Sequence, residues 1–84
     1  MASEVQSVSR ALNIIEILAR DPDPISLKEL SARADLPSPT AYRLLNTLSS
    51  EGYVDHMTNG LYKLSYKFFE LSSRNVTSSS TVSI

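Results

Sequence analysis

One segment of the chain carries side chains suited to reading the edges of nucleic-acid bases. Between Pro39 and Ser50, the residues Pro39, Arg43, Asn46, Thr47 and Ser50 fall on one side of a helix, with Thr40 and Tyr42 on its flanks. An arginine so placed bonds bidentately to guanine. An asparagine does the same to adenine, and a threonine methyl touches the methyl group of thymine. Arg43 is the first candidate for base contact and Asn46 the second. Long acidic side chains, which a phosphate-lined groove would repel, are missing from this side until Glu51. Ordinary solvated helix faces usually carry Glu–Lys pairs one turn apart, and this one has none.

Composition excludes most other chemistry. The 84 residues contain no cysteine, so disulfides, thiolate zinc sites and cysteine nucleophiles are ruled out together. His56 is the single histidine, two glycines cannot build a phosphate-binding loop, and no Gly-x-Ser-x-Gly elbow is present. The expectation is a protein that is not an enzyme and uses no metal or cofactor. No apolar run approaches a membrane span and the first six residues lack a secretory pattern, so a cytoplasmic protein without membrane contact is expected. The formal net charge is −1 and the pI about 5.7, whereas nucleic-acid-binding domains are usually basic. Net charge governs long-range attraction rather than one local face. A site of few cations and many neutral hydrogen-bonding groups is the form that fits.

The elements that must hold this face follow from periodicity. Ser7 to Arg20 reads as a helix capped by Ser7, with Val8, Ala11, Leu12, Ile15, Leu18 and Ala19 on one face. Ile14 and Ile17 widen the apolar surface beyond one stripe. A helix so broadly apolar touches two partners: the core, and either a second copy of the chain or a terminal helix. Val8, Ile14 and Ile17 are the candidate residues of a dimer interface. Asp21-Pro22-Asp23-Pro24 ends the helix, and Ile25 starts a very short strand. Ser26 caps a second helix, Leu27 to Ala34, at capping-box spacing from Glu29; Leu27, Leu30 and Ala34 form its buried side. After a tight connection, Ser38 caps the third helix, Pro39 takes its first position, and Gly52 closes it. Ala41, Leu44, Leu45 and Leu48 face the core. Tyr53–His56 and Leu61–Leu64 then read as paired strands around the turn Thr58-Asn59-Gly60. Ser65 caps a last helix to about Arg74, with Phe68, Phe69 and Leu71 on its packed side.

This order predicts an α+β, mainly α, winged helix-turn-helix over residues 7–74: three helices, a two-stranded wing and a C-terminal helix. Residues 1–6 form an N-terminal tail, and 75–84 a Ser/Thr-rich disordered tail or truncated linker. In such a fold the third helix lies in the major groove while the second crosses the backbone of double-stranded DNA. At the hairpin tip, Thr58 and Asn59, with Lys63 behind them, are placed to donate to phosphates. Lys28 and Thr40 are placed to do the same, and the third helix offers its N-terminus to an anion. Arg20, Arg33 and Arg74 read as solvated cations. Two rival readings are a winged helix that binds protein and a module that only dimerises. The acidic pI favours the first rival, and salt sensitivity of binding separates it from a DNA reader.

Ser7-Val8-Ser9-Arg10-Ala11-Leu12, Ser26-Leu27-Lys28-Glu29-Leu30, Leu36-Pro37, Thr40-Ala41-Tyr42-Arg43-Leu44-Leu45, Thr47-Leu48, Glu51-Gly52-Tyr53-Val54 and Gly60-Leu61-Tyr62-Lys63-Leu64 follow one another in an order and spacing that resembles the IclR family of bacterial transcription regulators. The resemblance covers about Val5 to Leu71. It implies a homodimeric repressor or activator that pairs through this domain and reads palindromic operators. It also implies a larger C-terminal domain that binds a small-molecule effector and is absent from this sequence, so that the chain is a fragment or a partial gene product. Thr40, Tyr42 and Arg43 fit the family's recognition pattern. Ser38 and Pro39 stand where the family often has a basic residue followed by a small hydroxyl residue.

Overall fold

Two prolines and a capping serine set the break between the first two helices. The computed structural model describes residues 5–79. Helix α1 spans Gln6–Arg20 and gives way to extended backbone at Asp21, just before Pro22. Strand β1, Ile25–Ser26, runs directly into α2, Leu27–Ala34. The Ser26 hydroxyl accepts a hydrogen bond from the Glu29 N–H at 3.2 Å, satisfying one of the free donors at the start of α2. The Glu29 carboxylate does not complete a capping box. It accepts from the Arg33 Nε–H at 3.0 Å instead.

Helix α2 closes at Asp35, which takes the left-handed conformation with φ 58°. The Asp35 N–H donates to the Ala32 carbonyl at 3.2 Å and the Leu36 N–H to that of Ser31 at 2.9 Å. Helix α3 is Ser38–Ser50. Its first backbone bond runs from the Ala41 N–H to the Pro37 carbonyl at 3.0 Å, so Pro37 rather than Ser38 occupies the cap. Pro39 thereby moves to the second helical position, where its missing N–H still costs nothing. The Ser38 hydroxyl caps nothing and lies 3.4 Å from the Ser31 hydroxyl of α2. Gly52, with φ 89°, supplies the left-handed residue after α3.

Strands β2, Val54–His56, and β3, Leu61–Leu64, form the hairpin. The expected two-stranded wing gains β1 as a third strand: the sheet is antiparallel in the order β1-β3-β2, with Ile25 and His56 both paired with Tyr62, and Asp55 with Lys63. The hairpin turn is held by the Gly60 N–H donating to the Met57 carbonyl at 2.9 Å and the Leu61 N–H to Asn59 Oδ1 at 3.2 Å.

The core gathers Ile14, Ile17 and Leu18 from α1 with Ile25, Leu30, Ala41, Leu45, Val54 and Tyr62. This corrects the expectation for α1 in part: Leu18 is buried as expected, but the rest of the buried face is different. Ile14 is 0% and Ile17 6% exposed, whereas Val8 and Leu12 are 56% and 55% exposed. Ile14 and Ile17 are therefore the centre of the domain and unavailable to a second copy. Both stripes of α1 satisfy helical spacing, and the one with more branched bulk fills the space against Leu30, Leu45 and Tyr62. The helix also starts earlier than expected. The N–H groups of Val8 and Ser9 donate to the Val5 carbonyl at 3.1 and 3.2 Å, which puts Ser7 inside the helix rather than at its cap.

Helix α4 spans Lys67–Ser79. The Ser65 hydroxyl accepts from the Lys67 N–H at 3.1 Å and donates to the Gly52 carbonyl. Lys67 Nζ donates to the Glu51 carbonyl at 3.1 Å and lies 4.4 Å above the Tyr53 ring. Phe68 is half-buried beside Tyr53, but Phe69 is 72% exposed and Leu71 is exposed, so the expected packed side narrows to Phe68. The backbone of 75–79, within the segment expected to be a disordered tail or truncated linker, continues α4. The rest of that expected tail, 80–84, and residues 1–4 lie outside the described residues. No helix among the described residues is long and apolar enough to cross a membrane.

Candidate nucleic-acid interface

The rotation of α3 about its axis is fixed by what it buries. Ala41 and Leu45 are fully buried, and Leu44 and Leu48 pack half-buried against the core. Arg43 and Asn46 must then point outward, and both are exposed, together with Ser38, Pro39 and Tyr42. Thr40 is half-buried. The three ion pairs among the described residues involve neither Arg43 nor Lys28 of α2 nor Lys63 of β3, all exposed. Their charges are free for an external anion. Lys63 has Asp55 directly opposite it in register, which weakens the local positive field on that side of the hairpin.

Thr47 separates from this group. Its hydroxyl donates to the Arg43 carbonyl at 3.1 Å. Its side chain also borders an apolar groove of about 350 Å³ between α1 and α3, lined by Val8, Ala11, Leu12, Ile15, Leu44 and Leu48. Thr47 thus belongs to the α1 side. At the hairpin tip Thr58 and Asn59 are exposed. The Asn59 carbonyl oxygen is used by the turn, leaving its NH₂ group as the outward donor.

Of the cations read as solvated, Arg33 is instead engaged within the fold, Arg20 makes only an exposed pair along its own helix, and the side chain of Arg74 lies outside the described residues. Arg20 reaches Glu16 at 3.6 Å. Arg33 reaches Glu29 at 3.0 Å and Asp21 at 3.2 Å, tying α2 to the loop after α1. The hydrogen bond to Glu29 is the main cause that holds the guanidinium pKa above its ordinary value; desolvation opposes it, and the bond to Asp21 adds to the rise.

Two residues beside the interface escaped the sequence reading. Tyr62, 2% exposed at the centre of the sheet, stacks on His56 with ring centroids 4.2 Å apart and an interplanar angle of 5°. Burial pushes the Tyr62 phenol up, and Tyr42 of α3 adds to the shift. Counting outward from the three-residue turn Thr58-Asn59-Gly60 would have paired them, Met57 with Leu61 and then His56 with Tyr62. No group of three or more histidine, cysteine or acidic residues is arranged to hold a metal ion among the described residues.

The sequence model of the IclR helix-turn-helix domain matches residues 7–56, which hold the whole of α2, α3 and β2. The DNA-binding transcriptional repressor YiaJ of Escherichia coli is 38% identical over 80 residues, covering 94% of this chain and 28% of that protein. The acetate operon repressor of Salmonella typhimurium is 37% identical over 54 residues, covering 64% of this chain and 20% of that protein. The chain spans between 19% and 30% of the length of the curated relatives it matches. Among solved structures, an IclR transcriptional regulator from Alicyclobacillus acidocaldarius superposes with a TM-score of 0.82 at 27% identity, over 87% of this chain and 30% of that one. An IclR family regulator from Brucella abortus gives 0.83 at 24% identity, over 94% and 30%, a likeness of fold. The fold is a winged helix, and with the family match running from α1 to the end of β2 the chain belongs to the IclR helix-turn-helix family.

Proposed function

We propose that this chain reads duplex DNA in a sequence-specific manner as the DNA-binding domain of a transcription regulator, with α3 in the major groove. The observation that carries the reading is the outward face of α3. Arg43 and Asn46 stand side by side there, exposed and without an ion pair, between the turn after α2 and the hairpin. Arg43 contacts a guanine edge and Asn46 an adenine edge, with Tyr42 beside them. Lys28, Ser38 and Thr40 meet the backbone on one side, and Thr58, Asn59 and Lys63 on the other. Pro39 packs against the sugar-phosphate surface. The relatives named as repressors support this assignment.

The chain works as a pair on a palindromic operator, with recognition helices about 34 Å apart. Support comes from the apolar groove beside α3, whose rim leaves Val8 and Leu12 more than half exposed. A second copy of α1 is the partner that would bury them.

Titration of a labelled mixed-sequence duplex at low and then moderate salt tests the reading. Binding that weakens steeply with salt is expected. No binding by folded protein at low salt would reassign α3 to protein recognition.

A further inference from the structure

We propose that His56, at the end of β2, is a proton-gated contact to a DNA phosphodiester. The inference rests on the DNA-binding reading above and adds to it a residue outside the recognition helix and the hairpin tip.

Strand parity places the side chain. Successive residues of a strand point to opposite faces, and Val54 of β2 is buried. His56, two residues on, therefore points to the same face, with its cross-strand partner Tyr62. Asp55 and Lys63 occupy the other face. The Val54 face is the one that packs on α1 and α3. His56 nonetheless is exposed, because the core ends at Tyr62 and the strand runs on toward the turn.

Its ring is held but its nitrogens are not. The imidazole lies flat on Tyr62 at 4.2 Å and 5°, which leaves the ring edge free. Among the described residues neither nitrogen has a hydrogen-bond partner, and no carboxylate stands within ion-pair distance. The titratable groups around it are Tyr62 beneath it and Tyr42 of α3 beyond, with Asp55 and Lys63 behind the sheet. A protonated imidazole on a tyrosine face gains a cation–π contact and presents two N–H donors outward. On the DNA-binding reading, Tyr42 flanks the reading face of α3, and the ring stacked on Tyr62 beside it lies next to that face, within reach of the sugar-phosphate backbone. Histidine is the side chain that changes charge in the neutral range. One added proton would cancel the formal net charge of −1.

The sign follows by linkage. A phosphate beside the ring favours the charged form, so the titration midpoint rises in the complex. The gain in affinity is complete below the free protein's midpoint and is lost as pH rises through that of the complex.

The test uses the full chain and a duplex it binds at low salt. As the chain has one histidine, its imidazole proton signals are assigned without ambiguity. Their midpoint is expected to move to higher pH on adding duplex. Binding is expected to be on the order of tenfold tighter near pH 5.5 than near pH 8, a change that His56→Gln largely removes while matching the parent protein near pH 8. Near pH 5.5 the salt slope should fall by about one in that variant. Salt-sensitive binding with an unmoved midpoint, or with the same pH dependence in His56→Gln, overturns the His56 assignment alone. Absence of duplex binding at both pH values overturns the DNA reading itself.

Discussion

The Thr47 hydroxyl donates to the carbonyl oxygen of Arg43, one helical turn earlier, at 3.1 Å. The two residues, neighbours on a helical wheel, are thereby divided between two surfaces: Arg43 stands free at the outward face, while Thr47 is tied to backbone beside the groove of α1. Arg43→Ala should cost about 1–3 kcal/mol of discrimination for its base pair, and Thr47→Val should change affinity less than about threefold. Fluorescence anisotropy with a selected duplex at fixed salt separates the two. Equal losses would mean that the reading face is rotated toward α1.

Leu12 and Ile14 make a second contrasting pair. Leu12→Glu is expected to leave the thermal melt close to that of the parent, because the side chain is more than half exposed, and to shift the mass in light scattering toward the monomer. Ile14→Ala empties a fully buried site and should cost about 2–5 kcal/mol of stability. A parent protein monomeric at every concentration tested would remove the proposed α1 pairing.

The Ser26 side chain caps α2 by accepting from the Glu29 N–H. Ser26→Ala should lower stability by about 1 kcal/mol, read as a fall in melting temperature of roughly 4–8 °C for a domain of this size. Ser38→Ala, at a serine that caps no helix, should lower it much less.

The buried Tyr62 phenol gives a pH dependence of stability. Its pKa is raised in the fold, by burial first and Tyr42 second, so the folded state holds the phenolic proton more tightly than the unfolded chain does. The stability this confers is fully present below the unfolded value of about 10 and is lost as pH rises through the folded value. Urea midpoints should therefore fall above about pH 10, and Tyr62→Phe should flatten that fall. An unchanged alkaline slope in Tyr62→Phe would assign it to other tyrosines or lysines.

The helix-turn-helix was legible because α3 has a single apolar stripe: Ala41, Leu44, Leu45 and Leu48 leave only one way to bury the helix. The hairpin was legible from Asn59-Gly60 and the change of period around it. The extent of α1 was legible to within a residue, but its buried face was not, because it offers two apolar stripes and local periodicity cannot say which one meets the core. The choice between them is made by Leu30, Leu45 and Tyr62, residues distant in sequence. The shift of the α3 cap from Ser38 to Pro37 has a similar origin: the serine hydroxyl faces Ser31 across the turn, a contact that capping preference does not include. His56 was set aside as a lone histidine, and only the strand register reveals what lies beneath its ring.

Asp35 makes the joint between α2 and α3 a mitre rather than a hinge. Its left-handed backbone is held by two carbonyls of α2, at Ala32 and Ser31, and the next helix begins three residues later. The short connection and the packing of α2 on α3 set the angle between the two helices. Adjustment to a curved or grooved surface must come from side-chain rotamers, from the hairpin, or from deformation of the surface itself.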